Sequence, residues 1–408
     1  MEEFAEKTVV TILAGGKGER LGRLVGHRAK PAVSFAGKFR MIDFVLSNCL
    51  HSKLHKIIVP TQYKSLSLTD HLGEWEPKFV LERGESLRAV QPQARTTQEL
   101  EPYTGTADAV YENLYSVSRF KPEIDLILAG DHIYKMDYRD LILFHREEQA
   151  DLTIAALETD DRDLAKRFGV LQVDENRKVI GFEEKPPEPK SLPTKPGTFL
   201  VSMGIYVFNH KTMVEELNSD AENPKSRHDF GKNIIPKMVK EGKEIFVFPF
   251  KGYWRDVGTI DAYYEAQMDL VSVVPEFNLY DEAWPWLTFG KQRPPTKIVF
   301  DERIKNSIIS EGCFIDRGEI SGSIISPGVK IGMDVQIINS VILENVTIGA
   351  GTRIVKAIID KKNNIPPDSI IEMGNIRYKG EQKENIEITP SGIVVIPRYL
   401  DPWEKAES

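Results

Sequence analysis

Isoleucine returns at a six-residue step through the last quarter of the chain, at Ile325, Ile331 and Ile337 and again at Ile342, Ile348 and Ile354, with Ile309 and Ile315 at the same interval. Small and turn-forming residues fill the gaps, as in Ile348-Gly349-Ala350-Gly351-Thr352. An amphipathic helix repeats its apolar positions at three and four, so this period excludes one. The repeat suits a parallel β-helix in which each hexad forms one wall, and three hexads to a coil leave room for about three coils. The competing reading is an ordinary β-sandwich with a chance period. Hexapeptide coils also occur in acyltransferases, but all eight histidines lie at or before His228, which leaves this region without the usual acyl-transfer base. It reads as a structural, regulatory or oligomer-forming domain.

The preceding sequence has another grain. Thr8 to Ile12 is β-branched and apolar and leads into a glycine-rich turn, and the alternation of apolar run and helical length returns at Lys56–Val59 and Asp125–Ala129. Such spacing predicts a parallel α/β sheet. Further β-rich pieces are Leu152–Leu157, Gly169–Val173, Val179–Phe182, Gly204–Phe208 and Ile245–Phe248. We place residues 1–280 in one domain, read the proline-rich stretch 281–297 as a linker, and assign 298–408 to the β-helix.

Charge narrows the partners. Lys plus Arg number 53 against 61 Asp plus Glu, a net of -8, so no basic field exists for nucleic acid or an anionic membrane. An anionic substrate must be held by a local pocket. No apolar run reaches the roughly 18 residues that span a bilayer, and Met1–Lys7 lacks the basic-then-apolar pattern of a secretory leader. Cys49 and Cys313 are too few for a disulfide framework, which fits a reducing, cytoplasmic setting.

The first glycine turn, Leu13-Ala14-Gly15-Gly16-Lys17-Gly18-Glu19-Arg20-Leu21-Gly22, is a phosphate-loop candidate. Glycines let backbone amides approach phosphate oxygens, and a following helix N-terminus would add its dipole. The dinucleotide fingerprint fails because Leu21 stands where its third glycine belongs, and the P-loop fails because Lys17 precedes a glycine rather than Ser or Thr. What remains is a nucleotide loop of another type, with Gly15 and Gly16 against the phosphates and Arg20 and Lys30 as cations, or else a merely structural turn. Asp131 follows the apolar run Leu126–Ala129, at the edge where open α/β sheets bind ligands, and Asp256 lies in a short loop before Gly258. Two carboxylates in a phosphate site point to Mg2+, which takes one or two carboxylates plus phosphate oxygens. The plainer alternatives are a helix cap and an ordinary turn.

Taken together, LAGGKGERL, RAKPAV, FAGKFRMIDF, Thr61-Gln62-Tyr63, Gly105-Thr106-Ala107-Asp108-Ala109, Ala129-Gly130-Asp131-His132-Ile133-Tyr134, Phe182-Glu183-Glu184-Lys185-Pro186, Ser202-Met203-Gly204-Ile205-Tyr206 and Tyr253-Trp254-Arg255-Asp256-Val257-Gly258 resemble the nucleoside-diphosphate-sugar pyrophosphorylases. Within them the likeness is to the bacterial glucose-1-phosphate adenylyltransferases, and it extends through the hexapeptide repeats. The resemblance implies a Rossmann-like nucleotidyltransferase domain with a mixed, mostly parallel sheet, followed by a left-handed parallel β-helix. It implies adenylyl transfer from ATP to glucose 1-phosphate for glycogen or another α-glucan, with Asp131 and Asp256 on Mg2+ and Arg20 and Lys30 on the pyrophosphate. By the same likeness Lys185, Glu184, Gly169, Ser202 and Tyr103 match glucose 1-phosphate contacts, and Gln93, Gly105 and Asp108 fall in the base-reading segment.

Members of this branch are typically homotetramers tuned by small phosphate effectors, and Arg28, Arg40 and Arg119 match arginines of the effector site. The chain departs from many activator-responsive members at His27, where they carry lysine, and at Thr104, where they carry arginine. Histidine, mostly neutral at pH 7, holds a phosphate less firmly. Rival readings are a sister enzyme using UTP, dTTP or GTP, a bifunctional acetyltransferase, which the missing histidine opposes, and a non-catalytic regulatory subunit, which the set Arg20, Lys30, Asp131, Lys185 and Asp256 opposes.

Overall fold

Parallel pairing of short apolar strands builds the first half of the central sheet. The computed structural model describes residues 2–92, 102–299 and 303–399. Strands β1 (Thr8–Leu13), β2 (Lys56–Pro60), β3 (Ser86–Val90) and β4 (Ile124–Ala129) lie in the order β3–β2–β1–β4, all parallel. Every residue of β1 from Thr8 to Ile12 is buried, as a strand covered on both faces requires.

Beyond β4 the sheet turns mostly antiparallel, with one parallel pair between Leu152–Thr159 and Ile245–Pro249. After β5 (His132–Tyr134) come β6 (Leu152–Thr159), β7 (Gly169–Val173), β8 (Val179–Glu184), β9 (Phe199–Asn209), β10 (Ile245–Pro249) and β11 (Trp254–Asp256). The long strand β9 runs beside β6 on one edge. Its other edge is shared: Leu200 and Val201 pair with β7, whereas Tyr206–Asn209 pair with β4. The stretch Ser202–Ile205 between them carries an irregularity against β6, with Gly204 at φ 68°. The sheet therefore forks, and the fork opens next to the carboxyl end of β4, where such folds place ligands.

Helix α1 (Met41–His51) is buried at every position from Met41 to Cys49. A helix buried on all sides belongs between two cores, and its polar residues find partners there, as Asp43 does with Trp75 Nε1 at 2.9 Å. Ile42, Val45 and Leu46 join Val10, Ile12, Val59 and Leu128 under the sheet, while Met41 and Phe44 join Tyr263, Trp286, Ile324, Val341, Ile358 and Val395 in a core shared with the C-terminal region. Residues 281–297 strap across this helix: Trp286 enters the shared core, Leu287 N donates to Ser47 Oγ at 3.0 Å and Trp284 Nε1 donates to Asn48 Oδ1 at 3.1 Å.

The C-terminal region is a parallel β-helix. Ile315, Ile331, Ile348 and Ile365 stack on one wall, Ile320, Ile337, Ile354 and Ile371 on the second, and Ile309, Ile325, Ile342, Ile359 and Ile396 on the third. The coil is shorter and more often repeated than a three-by-six count predicts. Partners such as Ile331 and Ile348, or Ile337 and Ile354, are 17 residues apart, because the step from Ile337 to Ile342 is five. On the third wall successive coils give four rungs, Ile309 to Ile359, and Ile396 returns after a longer excursion to add a fifth, in place of about three coils. Between Ile371 and Ile396 the chain leaves the helix and docks on the N-terminal region, where Thr389 and Ser391 donate to Asp261.

Candidate active site

A cleft of about 560 Å³ occupies the fork, walled by the glycine turn after β1, the end of β4, the β7–β8 hairpin and the irregular stretch of β9. Gly15, Gly16, Arg20, Lys30, Tyr103, Gly105, Asp131, Gly169, Glu184, Lys185, Ser202 and Asp256 all line it, so residues spread over some 240 positions converge. Asp108 does not: its carboxylate turns back to accept from Thr104 N at 2.8 Å and Thr104 Oγ1 at 3.0 Å, holding the loop in shape. Gln93 lies outside the described residues.

The glycine turn leads into a 3₁₀ segment, Glu19–Val25, kinked at Gly22, rather than into an α-helix. The dipole expected from a following helix is therefore small, and what the turn presents to the cleft is the open backbone at Gly16 beside the side chains of Arg20 and Lys30.

Lys30 is the centre of the charge arrangement. Its Nζ lies 2.6 Å from Asp131 Oδ2 and 3.1 Å from Asp256 Oδ1, in a buried position. His132 Nε2 stands 3.7 and 3.9 Å from the same two carboxylates, and Arg167 Nη2 is 3.4 Å from Asp256 Oδ2. Burial opposes the Asp256 charge, yet Lys30, His132 and Arg167 outweigh it and hold the carboxyl at about 2. Burial likewise opposes the Lys30 charge, and the two aspartates overcome it and raise its pKa. Asp256 belongs to β11, which pairs with β5 just past Asp131, and this two-stranded ribbon brings the carboxylates together. Both oxygens converge on one cation position, and the donor set is two carboxylates. That set fits a hard divalent ion whose remaining ligands are phosphate and water. Among the described residues no group of three or more metal-ligating side chains exists, so an ion held here would take its remaining ligands from phosphate or water.

The opposite wall is shaped by close approach. Glu184 pairs with Gly169 across the hairpin, and a Cβ at Gly169 would stand 2.3 Å from the Phe182 ring and 3.1 Å from Glu184 Oε2. A Cβ at Gly231 would stand 2.5 Å from the same oxygen. Glycine on both sides thus clamps the Glu184 carboxylate at the cleft. Lys185 adopts φ 49°, in the left-handed region, where the chain turns out of β8. Its amide donates to Phe168 O at 3.0 Å, and its ammonium, 3.0 Å from Glu184, stays more than half exposed.

At the far end Tyr103 N donates to Gln62 Oε1 at 2.7 Å, and Asn113 Nδ2 donates to the Tyr103 hydroxyl at 3.0 Å. Gly105 has no room for a side chain, because a Cβ would lie 2.1 Å from His228 O. That carbonyl accepts the amides of Ala107 and Asp108 at the start of α2 (Thr106–Tyr111). Asp229, Phe230 and Gly231 follow and complete the wall. His132, Arg167, Gln62 and Asp229–Gly231 are cleft residues that motif reading passed over. His132, Gln62 and Tyr206 stood inside quoted motifs, whereas Arg167 had no signal beyond its place before Phe168-Gly169.

The three effector-candidate arginines lie elsewhere. Arg28 is buried where the two regions meet, bonded to Asp360 and donating from Nε to Leu24 O at 2.7 Å. Lys361 Nζ pairs with Glu344 at 3.0 Å, and Ser34 Oγ donates to the same carboxylate at 2.9 Å. Burial pushes the Lys361 ammonium down to about 8, opposed by Glu344 and reinforced by Arg28 and Arg40. Three cations and two carboxylates therefore share this junction. Arg119 is exposed at the end of the helix Leu114–Ser118.

Residues 9–273 match the nucleotidyl transferase family model, and residues 294–396 match a GlmU-like C-terminal hexapeptide model. The chain is 44% identical to a glucose-1-phosphate adenylyltransferase of Rhodopirellula baltica, over 97% of this chain and 91% of the relative. It is 42% identical to one of Methylococcus capsulatus, over 97% and 94%. With glucose-1-phosphate adenylyltransferase 2 of Vibrio cholerae it shares 41% identity over 96% and 98%. Matches of this length span the forked sheet, the paired carboxylates and the β-helix together, and the chain belongs to the glucose-1-phosphate adenylyltransferase family of nucleotidyl transferases.

Proposed function

We propose that the chain transfers the adenylyl group of ATP to α-D-glucose 1-phosphate, giving ADP-glucose and pyrophosphate, with ADP-glucose serving glycogen or another α-glucan. The observation that carries this reading is the convergence of Asp131, Asp256 and Lys30 on one edge of the cleft with Glu184 and Lys185 on the other. A sugar phosphate on one wall and a nucleotide on the other meet between them. The phosphate oxygen then attacks the α-phosphorus in line and pyrophosphate leaves, a reaction in which the protein positions anions and neutralises growing charge.

Asp131 and Asp256 are the residues that would hold Mg2+. When bound, it supplies charge neutralisation at the phosphates. Lys30, His132 and Arg167 around Asp256 outweigh its burial and favour its charged form. Arg20, which lines the cleft beside the glycine turn, and Lys30 stabilise the departing pyrophosphate. Glu184 accepts from sugar hydroxyls, and Lys185 takes the phosphate as a compact charge. Tyr103, Gly105 and the backbone around Gly15 and Gly16 form the nucleotide end.

The junction of Arg28, Arg40 and Lys361 supports regulation by small phosphates, since it concentrates one buried and two partly exposed cations between the two regions. With Arg28 already engaged by Asp360, an effector there must replace a carboxylate. A cytoplasmic homotetramer completes the proposal, and no helix among the described residues is long and apolar enough to cross a membrane.

The test is pyrophosphate release by the purified chain with glucose 1-phosphate and Mg2+, comparing ATP with UTP, dTTP and GTP. ATP preference supports the reading. Better turnover with another nucleotide moves the chain to a sister activity, and release with none, even with sugar-phosphate activators present, makes it a regulatory subunit.

A further inference from the structure

Arg167 brings a positive charge into the cleft at the seam between the carboxylate pair and the sugar-phosphate wall. It follows the short helix Arg162–Ala165 and stands just before Phe168 and Gly169. The Phe168 carbonyl accepts the Lys185 amide, which ties the Arg167 segment to the backbone that carries Lys185. On the other side, Arg167 Nη2 reaches Asp256 Oδ2 at 3.4 Å, long beside the ~2.7–2.9 Å of a charge-assisted hydrogen bond. Its Nε is buried and has no hydrogen-bond partner among the described residues, although the side chain as a whole is 36% exposed to the cleft. A guanidinium offers its donors as a rigid planar fork matched to phosphate. Here the fork is half used and turned into a cavity built for anions. Lys185, by comparison, is an exposed point charge already sharing Glu184.

We propose that Arg167 binds the phosphate of the sugar 1-phosphate together with Lys185, and so holds the attacking oxygen beside the Asp131–Asp256 pair. The assignment rests on the nucleotidyl-transfer reading. It makes Arg167 a substrate contact rather than a counter-charge for Asp256, and the two roles separate kinetically. Loss of a phosphate contact weakens the sugar phosphate and the sugar nucleotide and leaves ATP alone, whereas loss of a counter-charge acts through Asp256 on the nucleotide side or on turnover.

The experiment measures initial rates of the full chain, wild type against Arg167→Gln and Arg167→Lys, varying glucose 1-phosphate at saturating ATP and then the reverse. Calorimetric titration with ADP-glucose and with ATP accompanies the rates. Arg167→Gln is expected to raise KM for glucose 1-phosphate about 10- to 100-fold, the range governed by one hydrogen bond to a charged group. ADP-glucose binding should weaken in proportion, KM for ATP should stay within about twofold, and Arg167→Lys should recover part of the loss. A parallel rise in both KM values overturns the proposal, as does a fall in kcat with KM for glucose 1-phosphate unchanged. If the wild type prefers another nucleotide, adenylyl transfer fails while KM for the sugar phosphate with that nucleotide still decides Arg167. If it turns over none, titration of wild type and Arg167→Gln with glucose 1-phosphate decides it, equal affinities overturning the proposal.

Discussion

The β-helix and the cleft are built from the same backbone menu and use it in opposite ways. In the β-helix the same side-chain type recurs at the same wall position on rung after rung, Ile331 over Ile348 over Ile365, and the interior is aliphatic. Around the cleft, regularity is broken at the residues that face it: Gly204 interrupts the β9 pairing, Lys185 and His228 take positive φ, and glycines at 105, 169 and 231 let backbone or carboxylate pass where a methyl group would collide. A repeat stores its information in packing, so any one residue has many equivalents. A site stores it in exceptions, each held by its own neighbours.

Substitutions can break this contrast, beginning with the largest effect. Asp131→Ala should remove on the order of 3–5 kcal/mol of transition-state stabilisation, a rate loss of roughly 10²–10⁴, while the urea midpoint stays close to wild type. Pyrophosphate release and an unfolding curve on the same preparation check it. Arg28→Met sits where the two regions meet and leaves Asp360 buried without its partner, a change that costs about 3–5 kcal/mol. Its expected signature is uncoupling, with the β-helix and the catalytic region losing their common transition in calorimetry.

Ile337→Ala, on the second wall, should cost about 2–4 kcal/mol of stability through lost burial and a cavity, with KM values unchanged for the protein that remains folded. A comparable loss of kcat would erase the contrast between the regions. The smallest effect is pH-dependent. His145 is fully buried between Thr153 and Asn209, and burial lowers its pKa to about 4. The unfolded chain, with a histidine near 6.5, binds the proton first, so stability is complete above about 6.5 and falls as pH drops toward 4, by up to about 3 kcal/mol. His145→Asn should flatten the difference between urea midpoints at pH 7 and pH 4.5, and an undiminished difference would assign the acid sensitivity to other groups.

Periodicity made the β-helix legible, because an aliphatic step of six has few other outcomes. Its coil of 17 residues was visible in the shorter step from Ile337 to Ile342, but the rung count depended on Ile298, Ile365, Ile371 and Ile396, which stand outside the unbroken series. In the catalytic region β1, β2, β4, β6 and β7 follow their apolar runs closely. Strand β9 begins at Phe199 rather than Gly204, since the glycine that reads as a boundary is an irregularity inside one strand. Motif spacing gathered most of the cleft, and it missed Arg167 because a single arginine after a short helix looks like any surface charge until the fold turns it inward. Asp108 shows the reverse case, a motif residue that the fold turns away from the cleft lining. Its place beside Gly105 suggests a ligand, and only the loop geometry reveals that it braces Thr104.

Lys30 between its two carboxylates has a consequence for how the protein is made and kept. In proteins whose clustered acids wait for an ion, folding is tied to ion supply and chelators unfold them. Here the chain's own Lys30 ammonium already stands between Asp131 and Asp256. The expected consequence is a chain that matures and can be stored without an ion to hold this pair together, its melting temperature the same with and without EDTA.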